Sequence, residues 1–179
     1  MTNLKIFCAT LILVCLVACD SKPARPAAAK QQGLATGNAQ SLQGIEQMKA
    51  KLLMNPNDFE TLSILADMYF ESSQYVDAFQ TYDKALAVNP KCADCYNDRG
   101  LSLFYIGDET SALESFDKAI AIDPGFIHAW LSKGFVLVSA GRYQEAVAPL
   151  NKVKELDPNG ALSDQADKFL AIVAQNSSP

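Results

Sequence analysis

Pro56, Pro90, Pro124 and Pro158 stand 34 residues apart, and each follows Asn or Asp. A fixed period in a chain of 179 residues limits the fold severely, because each period must be one structural unit packed on its neighbours. The same step aligns other positions. Ala78 coincides with Ala112 and Ala146, Phe79 with Leu113 and Val147, Tyr82 with Phe116 and Leu150, and Val88 with Ile122 and Leu156. Earlier in each unit Leu62 aligns with Tyr96 and Trp130, Ala66 with Gly100 and Gly134, and Tyr69 with Leu103 and Leu137.

Within a unit, apolar residues recur at three and four, as in Leu62, Leu65, Ala66 and Tyr69, then Ala78, Tyr82 and Ala85. Each half of a unit is therefore predicted to be an amphipathic helix. The small residues at Ala66, Gly100 and Gly134 let two helices approach, and Tyr82, Phe116 and Leu150 fill the space beside them. Proline ends each unit because it lacks the N–H that would extend a helix. The in-register turns SSQY, IGDE and AGRY join the halves, with Gly107 and Gly141 as turn glycines.

This pattern resembles the tetratricopeptide repeat, with its 34-residue period and W…LG…Y…A…F…P signature. The repeats run over 59–92, 93–126 and 127–160. The resemblance implies an all-α solenoid of antiparallel helix pairs, about eight helices in a right-handed stack with no strands. Residues 40–56 match only the second half of a unit and are read as an N-terminal packing helix. Residues 161–176 carry Leu162, Ala166, Phe169, Leu170 and Val173 on one stripe and are read as the capping helix that solenoids need for solubility. Arg99 and Lys133 depart from the pattern beside the glycines, as do Val153 and Lys154 late in repeat 3. Pro149 falls inside a predicted helix, so a kink and an exposed edge are expected there.

Residues 1–18 differ from the rest. MTNLK carries one cation, Lys5, and IFCATLILVCLVA is apolar apart from Thr10. The run is too short for a stable membrane span and has the length of a signal-peptide core. Leu16-Val17-Ala18-Cys19 resembles a bacterial lipobox, which implies cleavage before Cys19 and acylation of that residue. Two or more acyl chains give lasting attachment where one gives reversible binding. Asp20 resembles an inner-membrane retention signal, with outer-membrane placement as the alternative. Residues 19–39 hold the lipidated cysteine and a linker rich in Ala, Gln and Gly, without aromatics. As a flexible tether it would hold the domain about 25 Å from the lipid surface.

The mature chain carries 14 Lys+Arg against 20 Asp+Glu, with no basic cluster, so nucleic acid is excluded as a partner. In the family, the first helix of each unit lines a concave groove that holds a partner segment. On the matching positions here, repeat 1 supplies Glu60, Ser63, Asp67, Phe70 and Glu71. Repeat 2 supplies Asp94, Asn97, Leu101, Phe104 and Tyr105, and repeat 3 His128, Leu131, Phe135, Val138 and Ser139. Gripping a chaperone's terminal carboxylate needs Lys, Arg and Asn on these positions, and only Asn97 is of that kind. The groove is expected to take a hydrophobic or amphipathic protein segment, with basic residues near Glu60, Asp67 and Glu71. Leu101, Phe104, Leu131 and Phe135 equally suit packing between first helices, and about half of them are expected to be mostly core.

Cys92 and Cys95 form a CxxC. Haem attachment fails because Tyr96, not histidine, follows. A structural zinc site lacks its fourth ligand, with His128 the one conceivable third. A redox centre would favour a βαβ context, which is missing, although a thiol at a helix N-terminus remains physically allowed. Two free thiols in small-residue slots and a local disulfide stay open, the latter favoured by disulfide-range spacing and an oxidising compartment. No catalytic or nucleotide-binding fingerprint occurs, so neither enzyme activity, cofactor, metal nor small-molecule substrate is inferred. The function expected is a membrane-anchored interaction scaffold of the bacterial envelope, on its periplasmic side. The alternatives are an apocytochrome-binding factor in c-type cytochrome maturation and a thiol-disulfide oxidoreductase using Cys92 and Cys95.

Overall fold

The computed structural model describes residues 37–176. The predicted signal peptide, Cys19, Asp20 and most of the linker lie outside them. The described residues form eight α-helices and no strand: α1 (Gly37–Met54), α2 (Phe59–Glu71), α3 (Tyr75–Val88), α4 (Ala93–Ile106), α5 (Glu109–Ile122), α6 (Ile127–Ser139), α7 (Tyr143–Leu156) and α8 (Ala161–Asn176). None is long and apolar enough to cross a membrane. α1 begins three residues before the expected Gln40, inside the segment read as linker. No proline lies between Pro26 and Pro56 to stop it.

Every helix packs on its successor, and α2, α4, α6 and α8 also touch in sequence. First helices thus make one row, closed by α8, and α1, α3, α5 and α7 make the other. The chain turns between rows at the same place in each unit. Ser73, Gly107 and Gly141 stand in register, and all have positive φ, at 59°, 93° and 74°. Asp58 caps α2 by accepting the Thr61 N–H at 3.0 Å. Asp108 caps α5 by accepting that of Ser111 at 3.1 Å.

The small-residue positions are where the rows meet. Ala66, Ala78, Ala112 and Ala146 are fully buried, as are Phe116 and Leu150. A Cβ on Gly100 would lie 2.6 Å from the Phe116 ring, and one on Gly134 would lie 2.5 Å from Leu150. Burying a side chain such as Phe116 contributes about 1.5–3 kcal/mol. One cluster around Tyr69 and Tyr82 fills the N-terminal half, and another around Phe116, Leu137 and Leu150 fills the rest.

The edge of repeat 3 is closed, contrary to expectation. α7 continues through Pro149 as one helix, Pro149 is buried, and Leu150 and Val153 are fully covered. The reason is α8, whose Ala166 and Val173 join the same cluster. The unusual cations are also explained. Arg99 reaches back to Asp83 at 2.6 Å and donates to Ser115 Oγ at 2.6 Å. Lys133 repeats the pairing one unit later with Asp117. At the terminal junctions the residues in register are Lys49 with Leu65, and Asn151 with Asp167. There Lys49 pairs with Glu46 on its own helix and Asp167 with Lys154.

Candidate binding groove

The first-helix row divides the expected groove residues into surface and wall. Glu60, Asp67, Glu71, Asp94, Tyr105 and His128 are exposed, and Ser63, Phe70, Leu101, Phe104, Phe135 and Ser139 are half-buried. Asn97, Leu131 and Val138 are only 4%, 7% and 7% exposed. Their burial, Leu131 and Val138 within the C-terminal core cluster, means that they back the groove rather than line it. Of the four apolar residues in question, Leu131 is core. Leu101, Phe104 and Phe135 pack against the core with one side each.

The half-buried aromatics join into a continuous ladder. Phe70 meets Tyr75 at 5.6 Å between ring centroids and Tyr105 at 6.0 Å. Tyr75 stacks on Tyr105 at 4.6 Å. Phe104 meets Tyr105 at 5.7 Å and Phe135 at 5.4 Å, and Phe135 meets Phe169 of α8 at 5.7 Å. Tyr75, the first residue of α3, belongs to no first helix, so positional reasoning missed it.

Beside the ladder lies a pocket of about 180 Å³ between α2, α3 and α4, lined by Phe59, Ser63, Asp67, Tyr82, Cys92, Asp94, Cys95 and Asp98. Tyr82 donates its hydroxyl to Asp67 at 2.6 Å. Burial raises the Asp67 carboxyl above its ordinary value; the Tyr82 bond opposes this, and the charges of Asp94 and Glu71 add to it. Burial likewise raises the Tyr82 phenol, helped by its bond to Asp67. Asp98 is pushed up to about 7, first by burial and then by the charge of Asp94. The Asn97 amide, donating at 2.9 Å, pulls the other way. None of Glu60, Asp67, Glu71, Asp94 and Asp98 has an ion pair among the described residues. Asp98 was also missed from sequence. The signal was present, since Asp94 and Asp98 are a like-charge i,i+4 pair on one helix face, an arrangement unfavourable unless something answers it.

The structure joins Cys92 and Cys95 by a disulfide, with Cα atoms 5.3 Å apart. Cys92 is also the N-cap of α4, its Sγ accepting the Cys95 N–H at 3.1 Å. Cys95 is buried in the N-terminal core, with the Ser63 hydroxyl 3.8 Å from its sulfur. His128 stands apart from the pair, its ring 5.8 Å from Phe126. Among the described residues no three His, Cys, Asp or Glu side chains group to hold a metal ion.

Comparison with known proteins agrees with this architecture. Two sequence profiles described as tetratricopeptide repeat match, over residues 65–127 and 106–171. No curated protein sequence matches significantly. Among solved structures, the crystal structure of MamA is similar with a TM-score of 0.66 and 22% identity, covering 79% of this chain and 91% of that one. The TPR2B domain of yeast Sti1, in complex with an Hsp70 peptide, has a TM-score of 0.63 and 23% identity over 65% of this chain and 96% of that one. The first repeat domain of Spaghetti (RPAP3), bound to the HSP90 peptide SRMEEVD, has a TM-score of 0.61 and 21% identity over 65% and 93%. Period, paired helices and matched profiles agree: the chain belongs to the tetratricopeptide-repeat family.

Proposed function

We propose that this chain is a non-enzymatic scaffold that captures a partner protein segment in its first-helix groove, and that Cys19 anchors it by lipid to the bacterial envelope. The observation that carries the first part is the half-buried ladder Phe70–Tyr105–Phe104–Phe135, with Tyr105 exposed, beside carboxylates that have no ion-pair partner among the described residues. Such a surface suits an apolar or amphipathic segment. The peptide in the RPAP3 complex, SRMEEVD, has three acidic residues among its last four, and like charges would repel it from Glu60, Asp67, Glu71 and Asp94 here. The partner is therefore of a different class.

The lipobox-like sequence supports the anchor, and Asp20 supports the inner membrane. An oxidoreductase role finds little support. Cys95 is buried, and the carboxylates around the pair oppose the anion that thiol chemistry needs.

Crosslinking from Tyr105 and Phe104 in cells, with the captured protein identified, tests the function. Replacing Leu101, Phe104 and Phe135 by Asp should abolish capture while the helical spectrum is kept. Undiminished capture would rule out the groove. Mass spectrometry of the membrane fraction tests the anchor, and a mature Cys19 without acyl chains would refute it.

A further inference from the structure

The groove reading leaves the chemistry of the captured segment open, and the pocket beside the ladder narrows it. We propose that the space between Asp67, Asp94 and Asp98 receives a lysine or arginine side chain of that segment, and that a neighbouring aromatic or large apolar residue of the segment lies on Phe70, Tyr105 and Phe104. This rests on the groove reading and adds a charge and an order of residues to it.

Three features point the same way. First, the carboxylates face one another without a cation. Asp94 and Asp98 share one helix face, Asp67 looks across from α2, and Tyr82 of α3 gives Asp67 a neutral donor only. Gathering like charges in a half-buried place is unfavourable unless an opposite charge arrives. Second, the one side-chain donor that Asp98 has among the described residues is the neutral amide of Asn97, at 2.9 Å, and Asn97 itself, 4% exposed, stands behind the pocket wall. The remaining acceptor capacity of Asp98, which lines the pocket, is open to a charged donor. Lys brings three donors and Arg five. Third, the pocket walls differ as a long cationic side chain requires: Phe59 and the Cys92–Cys95 disulfide offer an apolar surface to the stem, and the acids sit where the head would lie. The volume of about 180 Å³ is on the scale of one such side chain. A bare metal ion fits less well, since no metal-holding group of side chains exists among the described residues.

The ladder starts at the same place. Phe70 lies one helical turn beyond Asp67 on α2, and Tyr105 and Phe104 lie further along α4 than Asp98. A segment crossing the first helices from the disulfide towards α8 meets the acids first and the aromatics after them.

The test uses the full chain in detergent and, as probe, a positional-scanning library of short synthetic peptides read by enrichment. The expected result is about tenfold enrichment of Lys or Arg at one position, the equivalent of one charge-assisted pair, together with aromatic or large apolar residues nearby. In Asp67→Asn/Asp98→Asn the cation preference should vanish and the aromatic preference persist; in Phe104→Ala the reverse should hold. Should the double variant fail to fold, Asp94→Asn replaces an exposed side chain and should weaken the cation preference alone. Apolar enrichment without a cation preference, or a cation preference that survives the Asn variants, overturns the proposal and leaves the groove reading standing. No enrichment of either kind overturns both.

Discussion

Gly100→Ala probes the contact that sets the distance between the two helix rows. The new Cβ would lie 2.6 Å from one Phe116 ring carbon and 2.9 Å and 3.0 Å from two more. Phe116 is fully buried, so its ring has nowhere to go without moving α5. Overpacking of this kind costs about 1–3 kcal/mol. Alanine returns about 1 kcal/mol through its better helix propensity. The net expectation is a loss of about 0–2 kcal/mol, the difference of those terms. Repeat 1 shows that a methyl is tolerable when the pair is built for it, since Ala66 stands in register beside the buried Tyr82. The cost therefore belongs to the Gly100–Phe116 pair, and a double-mutant cycle isolates it. In a Phe116→Leu background the same Gly100→Ala change should be neutral or stabilising by up to about 1 kcal/mol. The assay is urea unfolding followed by far-ultraviolet circular dichroism, comparing midpoints at unchanged slope. Equal effects of Gly100→Ala in both backgrounds, or a raised midpoint with Phe116 in place, would refute the close-approach argument.

Ser73 holds a left-handed conformation where the other units have Gly107 and Gly141, so Ser73→Gly should stabilise by up to about 1 kcal/mol in the same assay. Asp98 has a folded value of about 7 against 3.8 unfolded, so the fold holds a proton that the unfolded chain has lost in that window. Its contribution to stability thus falls as pH rises from 3.8 to about 7 and stays low above. Beside Asp94, Asp67 and Tyr82, Asp98→Asn should stabilise the free chain on the order of 1–2 kcal/mol above that window, with little gain below it. Thermal melts across pH check this, and a gain independent of pH would count against it. Cys92→Ser/Cys95→Ser opens a loop of a few residues and should cost about 1–2 kcal/mol, with Ser still able to cap α4; capture should weaken only in its cation preference, since the disulfide forms part of that pocket's wall, and the aromatic preference should persist. Loss of both preferences in a folded double variant would count against the disulfide as a mere wall of the pocket.

The helices and their order were legible because one period repeats, and each repeat supplies its own check on the others. The groove was legible only as a row of positions. Of that row the structure leaves Glu60, Asp67, Glu71 and Asp94 exposed and buries Asn97, Leu131 and Val138. The row passed over Asp98 because that residue lies between rows, although its four-residue offset from Asp94 was readable. Tyr75 was not readable at all, since only the tight turn at Ser73 brings the start of α3 onto the ladder. The exposed edge expected at Pro149 failed for a similar reason. A local rule about proline does not know that α8 lies on the same face.

The ion pairs between units also bear on how the array ends. Internal junctions join an acid on a second helix, Asp83 or Asp117, to a base on the next first helix, Arg99 or Lys133. Both end helices break this code: α1 presents Lys49 where the internal second helices present an acid, and α8 presents Asp167 where the internal first helices present a base. If α1 slid onto α4 or α6, Lys49 would meet Arg99 or Lys133. If α8 slid onto α3 or α5, Asp167 would meet Asp83 or Asp117. Each exposed pair is worth little, within about 1 kcal/mol, but at each of these misplacements of an end helix attraction turns to repulsion. Units of one shape and period invite slippage during folding, and here the charge order acts as a spelling rule that marks which helix is first and which is last.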